Sequence, residues 1–123
     1  VTIISSGIML VQCLAAADAL REGGVSARVL NMHTIKPIDQ EAVIRAAQET
    51  GRIVTVENHS IIGGLGSAVA EILAESCPVP MKRVGIRDRF GEVGNRAYLR
   101  QCLGIDTPDI VEAAMELKRA HGT

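Results

Sequence analysis

Aromatic side chains are scarce in this 123-residue sequence, which has one Phe, one Tyr and no Trp. Proteins that bind single-stranded nucleic acids stack the bases on aromatic side chains, so this composition argues against such a surface. Val, Ile, Leu and Ala supply most of the apolar residues instead. Aliphatic segments of this kind are typical of a buried parallel sheet that is flanked by helices.

A large net charge is also missing, because 13 Lys and Arg residues nearly balance 14 Asp and Glu residues. The chain therefore has no electrostatic footprint for nucleic acid or for an anionic membrane surface. No apolar run is long enough to span a bilayer, and the first residues lack the charged region of a signal peptide. The widely spaced Cys13, Cys77 and Cys102 indicate reduced thiols of a cytoplasmic protein.

Strand-like and helix-like segments alternate along the whole chain. The strand patterns fall at 1–5, 25–32, 52–57 and 81–86, and the helix patterns at 8–22, 40–50, 65–76, 96–103 and about 108–120. This alternation predicts one α/β domain over residues 1–123, with a mostly parallel sheet between two layers of helices. With the first strand in the centre, the strand order is 2-1-3-4, and the topological switch lies between the first and third strands.

Capping residues mark the ends of the predicted helices. We expect Asp39 to cap the second helix and Gly51 to end it. Thr107 is expected to cap the last helix, with Pro108 at its first position. The first helix has a broad apolar face that is expected to point inward, formed by Met9, Leu10, Cys13, Leu14, Ala17 and Leu20.

Two glycine-containing turns follow strands at the expected carboxyl edge of the sheet. The amides of Gly63-Gly64-Leu65-Gly66 could hold a phosphate or carboxylate, although the loop is neither a dinucleotide fingerprint nor a P-loop. The alternative, which we favour, is that Gly64 and Gly66 allow close approach of a neighbouring helix or chain. For Ser6 and Gly7, an anion-binding nest and simple N-capping are both open, and capping is favoured.

Glu57 and His59 come at the end of the third strand, and their spacing of two predicts that they point to the same side. They could form a proton-transfer pair, because histidine titrates near neutral pH. The alternative is a hydrogen-bonded pair that holds the loop or an interface. His33 and His121 show no metal-ligand spacing with any Cys, Asp or Glu.

A charged loop follows the fourth strand and contains Arg87, Arg89 and Phe90. The two arginines could bind a phosphate in bidentate fashion. A loop held by ion pairs to Asp88 and Glu92 explains the same residues. Phe90 is expected to be an interface anchor, because it is an aromatic residue in the middle of charged ones.

Four segments, taken together and in order, resemble the C-terminal domain of transketolases. They are VTIISSG at 1–7, NMHTIKPID at 31–39, VTVENH at 54–59 with GGLG at 63–66, and RDRFGE at 87–92. The resemblance extends to about Lys118 and is strongest to the C-terminal subunit of split bacterial and archaeal transketolases. Deoxyxylulose phosphate synthases and the beta subunits of 2-oxoacid dehydrogenases are weaker matches at 87–92.

The resemblance implies a three-layer α/β/α fold with a mixed five-stranded sheet, whose antiparallel edge strand would precede Val1. It also implies that thiamine diphosphate and a divalent metal are held between two other domains of a homodimer. This domain would support the dimer without supplying the principal cofactor contacts. The expected partners are the N-terminal and central domains or subunit. Asn58 stands where many relatives carry an acid, so this sequence departs from the family pattern there and has no acid pair at Glu57 and Asn58.

The chain starts within an apolar strand without Met, and it contains no Gly-Asp-Gly motif followed by paired Asn, the thiamine diphosphate signature. We therefore expect a fragment, inactive alone, of a transketolase of the pentose phosphate type, which moves two-carbon ketol units between sugar phosphates. One alternative is a regulatory module that binds phosphate or a nucleotide at Gly7 and Gly64–Gly66. Another is a deoxyxylulose phosphate synthase domain, or a 2-oxoacid dehydrogenase beta-subunit tail that docks a partner protein.

Overall fold

A parallel β-sheet forms the centre of the chain. The structure is a computed structural model and describes residues 1–87 and 93–121. Within these residues the strands are β1 (Thr2–Ser5), β2 (Arg28–Asn31), β3 (Ile53–Ser60) and β4 (Met81–Ile86). They lie in the order β2-β1-β3-β4, and each neighbouring pair is parallel. The predicted strand order and the central place of β1 are confirmed.

Helices cover both faces of the sheet. They are α1 (Leu10–Glu22), α2 (Gln40–Thr50), α3 (Leu65–Ser76), α4 (Arg96–Leu103) and α5 (Thr107–Ala120). Helices α1 and α5 share one apolar core with the sheet, and α2 and α3 share the other. The predicted three-layer α/β/α architecture is therefore confirmed. None of the described helices combines the length and the apolar character needed to cross a membrane.

The alternation of side chains along the strands divides the core into two halves. Ile3 packs with Cys13 and Ile110 on the α1–α5 side, whereas the next residue, Ile4, packs with Val43 and other residues of α2 and α3. Successive side chains of a strand point to opposite faces. A strand that is buried on both faces is therefore mostly apolar, which explains the aliphatic runs of the sequence, although Thr2, Ser5 and Thr55 are buried with them.

The ends of the second and last helices test the capping predictions. Asp39 caps α2, because its Oδ1 accepts a hydrogen bond from the Ala42 amide at 3.1 Å, and Gly51 ends the helix with φ of 70°. Both predictions are confirmed. The prediction for Thr107 is wrong by one residue: Asp106 caps α5, and its backbone amide donates to Asp109 Oδ2 at 2.9 Å. This reciprocal pair is a capping box.

The start of α1 also differs from the prediction. Ser6 makes no capping hydrogen bond through its side chain, and a 3₁₀ turn at Gly7–Met9 precedes the helix, which begins at Leu10. Leu14 was expected to point inward, but its side chain is half exposed. The second strand is shorter at both ends than the predicted segment 25–32. Tertiary packing decides these local details, and the sequence pattern does not encode it.

A buried thiol lies in the α1–α5 half of the core. Cys13 is fully buried among apolar neighbours, and burial raises the pKa of its thiol to about 12 from 9.0, because the interior disfavours the thiolate. In the unfolded chain the thiol ionises at lower pH. Cys13 therefore stabilises the folded state below about pH 9, and this contribution decreases as the pH rises towards 12.

We predict that Asp106→Ala lowers the free energy of unfolding by about 1 kcal/mol, because α5 loses its N-cap. Thr107→Ala should change it by much less, and Asp106→Asn should preserve most of the capping energy. Urea unfolding followed by circular dichroism measures all three variants. A larger loss in Thr107→Ala than in Asp106→Ala would contradict the assignment.

The pH dependence of stability tests the environment of Cys13. Between about pH 9 and 10.5, the free energy of unfolding of the wild type should decrease faster than that of Cys13→Ala, by up to about 1.4 kcal/mol per pH unit. Urea titrations at several pH values provide the comparison, and the other titrating groups are common to both proteins. Parallel pH profiles would show that the thiol is not shielded as described.

Candidate functional site

The end of β3 is irregular, and this irregularity determines where its polar side chains lie. Val56 pairs with Val84 and Ser60 pairs with Ile86, so four steps along β3 match two along β4. Extra residues in one strand form a bulge, which interrupts the alternation of side chains. Strand β3 therefore runs three residues beyond the predicted end at Glu57.

Glu57 is buried at this bulge and holds the start of α3. One carboxylate oxygen accepts a hydrogen bond from the Leu65 amide at 2.9 Å, and the other accepts one from the Gly66 amide at 2.8 Å. The first amides of a helix have no partner within the helix, and the positive end of its dipole favours an anion. We call this arrangement, formed by the Glu57 carboxylate and the amides of Leu65 and Gly66, the Glu57 clasp.

The glycines of the loop make room for the Glu57 clasp. A Cβ atom on Gly64 would lie 2.0 Å from Glu57 Oε1, so the carboxylate would have to move to make room for it. A Cβ atom on Gly66 would lie 3.0 Å from Thr55 Oγ1 and 3.0 Å from Arg83 Cδ. Both glycines therefore permit the close approach of α3 to β3 that the sequence analysis favoured.

The rest of the loop is closed by its own hydrogen bonds. Ser67 Oγ accepts from the Gly63 amide at 2.9 Å and donates to the Ile61 carbonyl at 3.2 Å. The guanidinium of Arg83 donates to the same carbonyl at 3.2 Å. Gly63 has φ of 77°, a left-handed conformation that glycine adopts without strain. The corner from β3 to α3 is thus fixed along its whole length.

Gly85 belongs to the same site, although the sequence analysis did not select it. A Cβ atom at this position of β4 would lie 2.8 Å from Ile61 Cγ2 and 3.2 Å from Glu57 Cγ. The glycine therefore lets the bulged end of β3 pack tightly against β4. An isolated glycine inside a strand pattern signals a bulge or a close backbone approach, and this signal could have identified it.

The structure does not bring Glu57 and His59 together. Glu57 is fully buried, whereas His59 is exposed, and no hydrogen bond joins them in the part of the chain that the structure describes. The register of β3 shifts between Val56 and Ser60, so the regular two-residue period does not extend through this stretch. Neither the proton-transfer pair nor the hydrogen-bonded pair forms, and Glu57 has the helix amides as its partners instead.

Ser6, Gly7 and Arg87 follow the carboxyl ends of strands β1 and β4. Ser6 is buried, and its amide donates to the Val56 carbonyl at 3.3 Å, while Gly7 has φ of 61°. The exposed Arg87 donates to the Arg83 carbonyl at 2.7 Å. Arg89 and Phe90 lie outside the described residues, as do the Asp88 and Glu92 partners that were proposed for Arg87.

The Glu57 clasp also decides whether this edge suits thiamine diphosphate, the cofactor that the resemblance implies for the full enzyme. A diphosphate would need free backbone donors at the glycine loop. The amides of Leu65 and Gly66 already bind Glu57, and Gly64 lies directly over its carboxylate. The glycine loop therefore does not fit a diphosphate group, and its two helix amides are not available to an external anion.

Fold and site together define a three-layer α/β domain with a corner closed by its own carboxylate. Residues 1–110 match the family model described as "Transketolase, C-terminal domain", and the chain belongs to this family. A 6-deoxy-6-sulfo-D-fructose transketolase subunit from Clostridium sp. (strain MSTE9) is 56% identical over 95% of the chain and 36% of that relative. A subunit of an apulose-4-phosphate transketolase from Phocaeicola vulgatus is 46% identical over 94% of the chain and 36% of that relative.

A solved structure, described as a split gene transketolase in the form of an inactive beta4 tetramer, matches with a TM-score of 0.91. It is 45% identical and covers 94% of this chain and 38% of that chain. A 1-deoxy-D-xylulose-5-phosphate synthase from Geobacter sulfurreducens is 44% identical over 99% of the chain and 20% of the enzyme. The chain thus spans little more than a third of the transketolase subunits that it matches, and the family resemblance of the sequence analysis is confirmed.

The Glu57 clasp leads to a double-mutant prediction. Glu57→Ala should lower the free energy of unfolding by about 3 kcal/mol, since two buried amides lose a charged acceptor. Gly64→Ala should cost about 2 kcal/mol, because the new methyl group displaces the carboxylate. The double variant should cost less than the sum, by about 1 kcal/mol or more, since the clash needs both side chains.

Urea unfolding of the four proteins measures this coupling. Gly23→Ala is the matched control, because a Cβ atom there would lie 3.5 Å from the Leu20 carbonyl oxygen, an ordinary contact, and Gly23 has a negative φ. It should be tolerated much better than Gly64→Ala. Strictly additive effects of Glu57→Ala and Gly64→Ala would refute the arrangement described for the loop.

Proposed function

We propose that this chain is the C-terminal structural and dimerisation domain of a transketolase-type enzyme. The enzyme would transfer two-carbon ketol units between sugar phosphates, with thiamine diphosphate and a divalent metal bound by its N-terminal and central domains or subunit. The observation that carries the proposal is the 56% identity to a transketolase subunit over 95% of the chain. The cytoplasm is the proposed compartment, consistent with the free cysteines.

The closed corner supports the assignment of a structural part to this chain. Its polar groups are used inside the domain, because Glu57 occupies the donors that a phosphate would need. In such an enzyme the cofactor supplies the carbanion chemistry, and the protein contributes binding, orientation and electrostatics. This domain would contribute rigidity and subunit contacts, while the reacting groups lie elsewhere in a homodimer.

The names of the relatives guide the choice of substrates. One relative is named for 6-deoxy-6-sulfo-D-fructose and another for apulose 4-phosphate, and both names describe ketoses that carry an anionic group. We propose a donor of the same chemical class for the enzyme that contains this chain. A 1-deoxy-D-xylulose-5-phosphate synthase parent is the weaker alternative, since the identity to such a relative is 44%.

Reconstitution tests the proposed function. The purified chain is mixed with the N-terminal and central part of its enzyme, thiamine diphosphate and Mg²⁺, and ketol transfer is measured with 6-deoxy-6-sulfo-D-fructose, apulose 4-phosphate and fructose 6-phosphate as donors. Transfer should occur in the mixture and in neither part alone. Activity of the isolated chain would overturn the structural assignment. Condensation of pyruvate with glyceraldehyde 3-phosphate, without ketol transfer, would favour the synthase.

The regulatory-module alternative is tested on the isolated chain. Calorimetric titration with inorganic phosphate, ATP and fructose 6-phosphate should show no saturable binding at millimolar concentrations, because the helix amides are occupied by Glu57. Saturable binding that is lost in Gly66→Val, in a variant that remains folded by circular dichroism, would support the alternative instead.

A further inference from the structure

A groove of about 370 Å³ opens between α1 and α4 beside the ends of β3 and β4. Its walls are mostly apolar, although it lies at the surface. We call it the α1–α4 groove and define it by six of its lining residues: Ile8, Val11, Ile86, Arg96, Leu99 and Leu103. Of the predicted site residues that the structure describes, none lines this groove.

Apolar side chains around the α1–α4 groove are exposed to water. The exposed fractions of Ile8 and Val11 are 54% and 68%, and Leu14, one turn further along α1, is 50% exposed. On the opposite wall, Leu99 and Leu103 of α4 are half-buried. Single exposed apolar residues are ordinary, but a contiguous group around a groove indicates an interaction surface.

Helix α4 provides a second indication. It is capped at both ends, since Asn95 Oδ1 accepts from the Tyr98 amide at 2.9 Å and Gly104 has φ of 70°. None of its eight residues is buried, although its polar and apolar side chains are clearly segregated. A helix of this length is marginal in water unless its apolar face is covered. Leu103 packs against the α1–α5 half of the core and Leu99 is half-buried, so the domain itself covers the apolar face of α4 only in part. The uncovered part is suited to contact with another part of a larger assembly.

The charges around the groove indicate what kind of surface fits it. Arg100 is paired with Asp106 at 3.3 Å, whereas Arg96 has no ion pair within residues 1–87 and 93–121. Among the described residues that line the groove, none is Asp or Glu. If a second copy docked through the same groove, the contact would therefore bring arginines together without carboxylates to pair with them. A partner with apolar side chains and a carboxylate complements the groove better.

We infer that the α1–α4 groove binds a segment of the transketolase-type enzyme outside this chain, with apolar side chains between α1 and α4 and a carboxylate beside Arg96. The inference rests on the proposed function and adds to it the surface and the chemistry of the contact. The related transketolase subunits are nearly three times as long as the matched region, so the domain needs a contact surface for the rest of such an enzyme.

Photo-crosslinking in the whole enzyme, as one polypeptide or as its subunits, tests the inference. p-Benzoylphenylalanine is placed at Val11 in the groove, or at Glu75 of α3 as a control, because Glu75 is exposed and lies outside the groove. Mass spectrometry identifies the crosslinked peptide. Position 11 should crosslink to an apolar segment outside this chain that contains Asp or Glu, and position 75 should not crosslink to that segment.

A charge-reversal pair adds an energetic measurement. Arg96→Glu should decrease the crosslink yield from position 11 about tenfold, because like charges repel. Arg45→Glu, a change at an exposed arginine of α2, should leave the yield unchanged. Replacing the carboxylate of the crosslinked segment by Lys should restore the yield in Arg96→Glu. Circular dichroism confirms that each variant is folded.

The other outcomes contradict either the inference or the proposed function. A crosslink from position 11 to the same groove of a second copy would replace it by self-association, and equal yields in Arg96→Glu and Arg45→Glu would remove the role of the charge. No crosslink at position 11 in the assembled enzyme would show that the groove is uncovered.

Ketol transfer is measured on the same preparation, so that a failed groove contact in an active enzyme leaves the proposed function intact. The expected crosslink in an enzyme without ketol transfer would contradict the proposed function but would leave the groove contact in place.

Discussion

The contact between the Glu57 carboxylate and the amides of Leu65 and Gly66 is the constraint on which the carboxyl edge of this domain depends. A buried carboxylate is costly unless it is fully hydrogen-bonded, and the first amides of a helix are costly to bury without an acceptor. Each group satisfies the other here. The contact therefore fixes both the end of β3 and the start of α3, and the bulge and the nearby glycines are its geometric requirements.

This constraint also explains how a glycine-rich strand-to-helix turn, of the kind that binds phosphate in many α/β proteins, is closed to an external anion in this domain. Gly64 and Gly66 create the close approach of backbone that an anion site needs. In this domain the anion that occupies the site is the carboxylate of Glu57.

The sequence predicted the layers, the strand order and most helix ends, because these follow from apolar periodicity, capping residues and glycines. The predictions from the sequence were wrong where the position of a residue depends on how two elements pack together. The two-residue period predicted a pair of Glu57 and His59, but Glu57 is buried against the amides of α3 and His59 is exposed, in the stretch where the register of β3 and β4 shifts. The choice of Asp106 over Thr107 depends on the reciprocal bond with Asp109, a signal that was present in the sequence. The α1–α4 groove depends on how two distant helices are placed, and no local pattern encodes that.

The anchoring of α3 has a mechanical consequence. A helix that only packs on a sheet by apolar contacts can slide by small amounts, because such contacts have no direction. Hydrogen bonds to a buried carboxylate are directional, so the first turn of α3 moves as one piece with the central strand. A load applied to the exposed corner at His59 or Ile62 would thus be transmitted to the middle of the sheet, and the corner would act as a rigid lever rather than as a hinge.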